Sequence, residues 1–314
     1  MTLRILDCTL RDGGYYNNWC FPRELAESYL QAMAAAGVDI VEIGFRNFPQ
    51  ASFLGPYAYS TDAFLGTLHL PAGLTLAVMV DAKAMLGCGL APAAAVDALF
   101  LPRDGSRVEW VRIAAHLGEV ESCRALAVRL RDLGYRVGLN IMQAAGKPAA
   151  RITALAREVA SWDAVAVLYF ADSFGSMDGA EVGRVVDALA AGWNGAIGVH
   201  THNNKSLAVQ NTLAAIAHGV SFLDATVTGM GRGAGNAELN ERRYEGGIGY
   251  TLSLPYHVKA GASLRVSGEP DYLSRYVTGH GEIGLLDQTT TLRLLVGYGA
   301  DEIDNGVSLM MGSI

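Results

Sequence analysis

The sequence predicts an α/β protein, a (β/α)8 TIM barrel followed by a small, mostly helical C-terminal appendage. Three observations point there. Short β-type runs alternate with Ala/Leu-rich amphipathic segments, the order that implies crossover connections and a parallel sheet. Eight such units fill about 250 residues, the repeat arithmetic of a closed barrel. No G-x-G-x-x-G turn follows the first run, which argues against a doubly wound open sheet.

The runs, in order, are RILDCTL from Arg4, DIVEIGF from Asp39, TLAVMV from Thr75 and VEWVRIA from Val108. RVGLNIM follows from Arg136, then AVAVLYF from Ala164, AIGVHTH from Ala196 and FLDATVTG from Phe222. Each is short, rich in Val, Ile or Leu, and bounded by turn residues. Between them PRELAESYLQAMAAAG, EVESCRALAVRLRDLG and DGAEVGRVVDALAAG carry helical periodicity and end in the glycine that closes a helix. From about residue 250 the pattern changes to TLSLPYHVKAGASLRVSGEPDYLSRY and GLLDQTTTLRLLVGYGADEIDNG, which read as short helices and loops. The expected division is residues 1–250 as the barrel and 251–314 as an appendage for oligomerisation or for covering the site.

Of 314 residues, 51% are hydrophobic and 18% charged, which suits a large buried core and excludes a disordered chain. Net charge is −7, and no Lys/Arg run is present to follow a phosphate backbone, so nucleic acid and anionic membrane are poor partners. MTLRILDCTLRDGG enters a strand directly, without a secretory leader, and no 18-residue apolar run follows, so a cytoplasmic protein is expected. Cys8, Cys20, Cys88 and Cys123 are dispersed and read as free, mostly packed thiols.

A barrel of this kind places chemistry at the C-terminal ends of its strands. Polar residues there are Arg11 and Asp12 after the first run, Glu42 in the second, Asp172 and Ser173 after the sixth, His200 and His202 in the seventh, and Asn236 beyond the eighth. Side chains two apart on a strand share a face, so His200 and His202 converge while Thr201 turns away. With Asp12 and the Asn236 amide oxygen they make an N/O donor set without thiolate, suited to Mn²⁺ or Mg²⁺. Taken singly, each has a plainer reading: a strand-end ion pair for Arg11 and Asp12, a buried Arg partner for Glu42, a strand cap for a histidine.

Together, LDCTLRDG, VEIGF, GVHTHNN and GMGRGAGN, in that order and spacing, resemble the DRE-TIM metallolyase superfamily over residues 3 to 240. That superfamily includes hydroxymethylglutaryl-CoA lyase and 4-hydroxy-2-oxovalerate aldolase, and the stretch from His200 through GMGRGAGN most resembles the aldolase branch. The resemblance implies metal ligation by Asp12, His200 and His202, with Asn236 a candidate further ligand. It implies enolate stabilisation by Arg11, and Glu42 holding Arg11 or metal-bound water. The implied activity is a divalent-metal-dependent aldolase joining or releasing a 2-oxo acid and an aldehyde. A homodimer and a partner enzyme that collects the product are further expectations.

Two departures stand out. Where the aldolase branch carries an acid/base histidine three residues after the aspartate, this chain has Tyr15, and GMGRGAGN lacks the cysteine of the hydroxymethylglutaryl-CoA lyases. Tyr15 or Tyr16 is therefore the candidate base, with its phenol pKa lowered by a nearby cation. Tyr169, Asp172 and a mobile GHGEIG segment around His280 are weaker candidates. Lys83, Lys147, Lys205 and Lys259 fall in loops or the appendage, which argues against Schiff-base chemistry. The alternatives are a Claisen-type acyl-CoA/2-oxo-acid synthase and a catalytically lapsed barrel serving as a binding subunit.

Overall fold

The computed structural model describes residues 2–238, 244–254, 258–269, 272–285 and 290–303. Eight parallel strands close into a barrel: β1 Arg4–Asp7, β2 Ile40–Phe45, β3 Thr75–Asp81, β4 Trp110–His116, β5 Arg136–Met142, β6 Val167–Asp172, β7 Ala196–Thr201 and β8 Phe222–Ala225. Each pairs with the next, and β1 closes the ring on β8, with Arg4 opposite Phe222 and Asp7 opposite Ala225. Between β6 and β7 the helix Gly179–Ala190 shows the local logic. Asp178 caps it by accepting from the Glu181 N–H, and Val182, Val185, Val186 and Leu189 recur at helical spacing on its buried face.

Inside the barrel the side chains alternate with period two. Leu6, Ile40, Ala77, Trp110, Val167 and Tyr169 form an apolar plug. Two residues beyond Ile40, Trp110 and Phe222, the last packed against the plug, come Glu42, Arg112 and Asp224, each almost wholly buried. One step higher, Ala114, Asn140 and His200 border an open cavity. Gly198 makes room within this stack, because a Cβ there would lie 2.2 Å from the Tyr169 ring.

Two strand ends differ from the sequence expectation. β1 stops at Asp7, and the chain turns into a short helix, Thr9–Gly13, that carries Arg11 and Asp12. The cause is Asp7, whose carboxylate accepts both the N–H and the hydroxyl of Thr9, at 2.8 and 2.9 Å, and so bends the backbone out of the sheet. β8 likewise ends at Ala225, ahead of a turn at Val227–Gly229.

The chain divides into two compact units, Met1–Leu239 and Asn240–Ile314. The expectation of a mostly helical appendage is not met. The described residues of the second unit form an antiparallel sheet of β9 Tyr244–Leu254, β10 Val258–Glu269, β11 Tyr272–Leu285 and β12 Thr290–Ile303, in sequential order. GHGEIG lies inside β11 and not in a loop. The physical reason is composition: glycines scattered among Thr, Tyr, Val and Leu cost about 1 kcal/mol each in a helix, whereas the β-branched and aromatic residues beside them suit a pleated surface.

Candidate active site

The turn imposed by Asp7 and Thr9 delivers Arg11 and Asp12 into the top of the barrel, both buried. There they enter a closed circuit of charges. Arg11 donates through Nη1 to Asp12 Oδ1 and through Nε to Glu42 Oε2, each at 2.6 Å. Arg112, from β4, donates to Glu42 Oε1 at 3.3 Å and to Asp224 Oδ2 at 2.6 Å. Asp224 Oδ2 lies 2.9 Å from His200 Nδ1, and His200 Nε2 lies 3.7 Å from Asp12 Oδ2. Three carboxylates and two guanidiniums leave one net negative formal charge in this circuit.

The electrostatics sharpen each group. Burial alone would raise the Asp12 carboxyl, but Arg11 and then His200 outweigh it and hold it at about 2. Burial, reinforced by neighbouring His200, pushes His202 down to about 4, so it is neutral at pH 7. His202 follows β7 and forms a backbone bridge with Asn236, while the Asn236 Nδ2 donates to Asp12 Oδ2 at 2.5 Å. That bridge depends on Gly235, which has φ of 87° and accepts from the Asn203 N–H at 2.8 Å.

Asp12, His200 and His202 each offer a donor atom, all within 4.8 Å of one another. The set fits a divalent cation on three counts. Asp12 is ionised and His202 neutral near pH 7; Asp224 Oδ2, 2.9 Å from His200 Nδ1, orients the ring so that Nε2 faces Asp12; and Asn236 Oδ1 is buried without a partner among the described residues. A second cluster, Cys8, His200 and Asp224, is a poorer one. Burial pushes the Cys8 thiol well up, and Asp224 is already held by Arg112.

A cavity of about 190 Å³ opens beside these donors, with Arg11, Asp12, Tyr15, His200, His202 and Arg232 on its wall. Arg11 Nη2 is buried and has no hydrogen-bond partner among the described residues, so one guanidinium N–H pair is left to give. Tyr15 stacks edge-on against Trp19 at 4.7 Å, with the Arg232 guanidinium 5.7 Å from its ring. Its phenol, however, is raised and not lowered: burial outweighs the opposing pull of Arg11 and Arg232, and Tyr15 stays protonated near neutrality. The Tyr16 hydroxyl donates to the Gly231 carbonyl and ties two loops together.

The weaker candidates resolve as structure. Tyr169 lies beneath Arg112, 4.2 Å from ring centre to guanidinium. Asp172 accepts the Ser176 and Met177 N–H groups at 2.9 and 3.1 Å. Among the described residues no lysine lines the cavity; Lys83 lies on the helix Ala82–Gly87 and Lys259 on β10. The four cysteines are free, Cys8 and Cys123 buried, Cys88 partly so and Cys20 exposed. Sequence reasoning missed Arg112, Asp224, Asn140 and His116. The first three carry one signal, a polar side chain in inward phase with apolar residues on both sides, as in WVRIA, FLDAT and GLNIM.

Known proteins resemble the chain in sequence and in fold. The HMGL-like family profile matches residues 113–244. An oxaloacetate decarboxylase of Mycobacterium tuberculosis is 30% identical, over 75% of this chain and 67% of its own length. A 4-hydroxy-2-oxovalerate aldolase of Carboxydothermus hydrogenoformans is 33% identical, over 75% of this chain and 68% of its own. The crystal structure of the N-terminal domain of a Bacteroides vulgatus protein, provisionally called an aldolase, superposes with a TM-score of 0.69 at 32% identity, over 76% of this chain and 77% of that one. The chain spans about two thirds of the curated relatives' length. On the sequence match to these relatives and the barrel they share, the chain belongs to the HMGL-like family of carbon–carbon lyases.

Proposed function

We propose that the chain is a divalent-metal-dependent lyase of the aldolase type that breaks or forms the C3–C4 bond of a 4-hydroxy-2-oxo acid through a pyruvate-type enolate. One observation carries this reading. The Asp12, His200 and His202 donor atoms lie beside an Arg11 whose Nη2 is buried and unpaired among the described residues, on the wall of a single cavity. Two of the relatives are named for 4-hydroxy-2-oxovalerate and for oxaloacetate, both 2-oxo acids. Asp12, His200 and His202 would hold the ion, Mn²⁺ or Mg²⁺, with Asn236 Oδ1 a candidate further ligand. When bound, the ion supplies Lewis acidity to the ketone and carboxylate oxygens of the oxo acid.

The chain's own residues do the rest. In the cleavage direction the C4 hydroxyl gives up its proton and C4 becomes the aldehyde carbonyl. The C3–C4 electron pair moves into the enolate, and C3 regains a proton to give pyruvate. Arg11 donates its free N–H to the oxygen on which that charge develops, a contact stronger in the transition state than before it. Glu42, through Arg11 Nε, fixes the plane of the guanidinium. His116 at the end of β4 lines the cavity outside the donor set and takes the hydroxyl proton; Tyr15, held protonated, returns one to C3.

The test uses the full chain with added Mn²⁺ and follows pyruvate released from 4-hydroxy-2-oxo acids, with oxaloacetate run beside them. Pyruvate formation that a chelator abolishes and Mn²⁺ restores, and that Asp12→Asn loses together with the metal, is the expected result. Thiol released from acetyl-CoA and a 2-oxo acid, without pyruvate formation, would show a Claisen-type synthase. Neither activity in a metal-free protein would show a binding barrel.

A further inference from the structure

The metal donors occupy one side of the mouth only. In a closed ring of eight strands in sequential order, β5 stands opposite β1 and β3 opposite β7. Asp12 follows β1 and His200 lies on β7, so the wall that faces them is built by β3, β4 and β5. That wall is polar. Asp81 ends β3, His116 ends β4, Asn140 lies on β5 and Gln143 just beyond it, and all four border the cavity. Ala114, between Asp81 and Asn140 in the sheet register, is too small to cover them.

Two independent features mark this wall as built for a ligand. Asn140 is 4% exposed, and its Oδ1 has no hydrogen-bond partner among the described residues. A buried carbonyl without a donor is costly, and the cavity it borders is the place from which a donor arrives. Gln143 has φ of 58°, the left-handed region, and its N–H donates to Ser173 Oγ at 3.1 Å, which holds the strained turn at the rim. Strain of this sort concentrates at ligand sites.

An unpaired amide oxygen selects a donor. A hydroxyl is one; an alkyl chain or a carboxylate is not, and Asp81 on the same wall opposes a second anionic group. We propose that the β3–β5 wall is a hydroxyl-binding subsite, so that the aldehyde half of the substrate carries a hydroxyl of its own, as a 2-hydroxyaldehyde does. This rests on the lyase reading and narrows its substrates to 4-hydroxy-2-oxo acids with a further hydroxyl at C5. A site shaped to bond a hydroxyl rejects the analogue lacking it far more strongly than an apolar pocket rejects an extra methylene.

The experiment compares pyruvate release from 4,5-dihydroxy-2-oxopentanoate and 4-hydroxy-2-oxopentanoate by the Mn²⁺-loaded full chain and its Asn140→Leu variant. The dihydroxy substrate is expected to have a kcat/KM higher by about tenfold or more. Asn140→Leu should bring the ratio near one by slowing that substrate alone, and Asn140→Ala is read the same way if the Leu variant does not fold. A wild-type ratio near one, equal slowing of both substrates, or preference for 4-hydroxy-2-oxoglutarate with its tail carboxylate would overturn the subsite. Calorimetric titration with the uncleavable 2-oxopentanoate and 5-hydroxy-2-oxopentanoate separates the two readings. Tighter binding of the hydroxylated acid, lost in the variant and unaccompanied by turnover of any substrate, keeps the subsite and removes the lyase. Equal binding of the two acids removes the subsite.

Discussion

At the scale of single residues, Asp224 joins the inner guanidinium to the first histidine. It accepts from Arg112 and orients His200 through Nδ1, with Nε2 turned toward Asp12. Burial would raise its carboxyl, but Arg112 and then His200 bring it below the ordinary range. Asp224→Asn keeps the shape and removes the charge. Losing such an outer partner of a ligating histidine weakens metal binding by about 10–100-fold. It also leaves Arg112 with one fewer countercharge, at a cost in stability of about 3–5 kcal/mol if the pair is broken outright. Titration of the apoprotein with Mn²⁺, well below its melting temperature, checks the first effect. Unchanged affinity would mean that His200 is oriented by something else.

At the scale of elements, the middle of the barrel is tight because two large groups stack there, Tyr169 under Arg112, and β7 yields space through Gly198. Gly198→Ala places a methyl group 2.2 Å from the Tyr169 ring, so either the ring or the strand must shift. Overpacking of this kind costs about 1–3 kcal/mol, read as a lower urea midpoint with the slope unchanged. A midpoint equal to wild type would show that the ring has room to move. The eight strands were legible because parallel strands buried on both faces stand out as apolar runs, and His200, His202, Glu42 and Asp12 because they interrupt or end such runs. Arg112 and Asp224 were not, because a charge inside a strand has meaning only once its partner on another strand is known. The turn at Asp7 and the sheet of β9–β12 were missed for another reason: side-chain hydrogen bonds and cross-strand pairing leave only weak local periodicity.

At the scale of the whole molecule, two buried groups set opposing trends in stability with pH. Burial, against hydrogen bonds from Tyr29 and Thr9, raises Asp7 from 3.8 to about 6, so the folded state binds the proton more tightly and stability is lost as pH rises through that window. His202, lowered from 6.5 to about 4, does the reverse, and its contribution is lost as pH falls toward 4. Each amounts to about 3 kcal/mol at roughly 1.36 kcal/mol per pH unit, so between pH 4 and 6 they nearly cancel in the metal-free protein. Asp7→Asn removes one of them, and stability of the stripped variant should climb steeply over that range in urea titrations at stepped pH. Profiles parallel to wild type would show Asp7 ionised throughout. The placement of the donors on and just after β7 and on the short helix after β1, with Asn140 and Gln143 across the mouth, has an evolutionary consequence. A descendant could accept a different substrate by exchanging two side chains on the far rim, and the way it breaks the carbon–carbon bond would pass on unaltered.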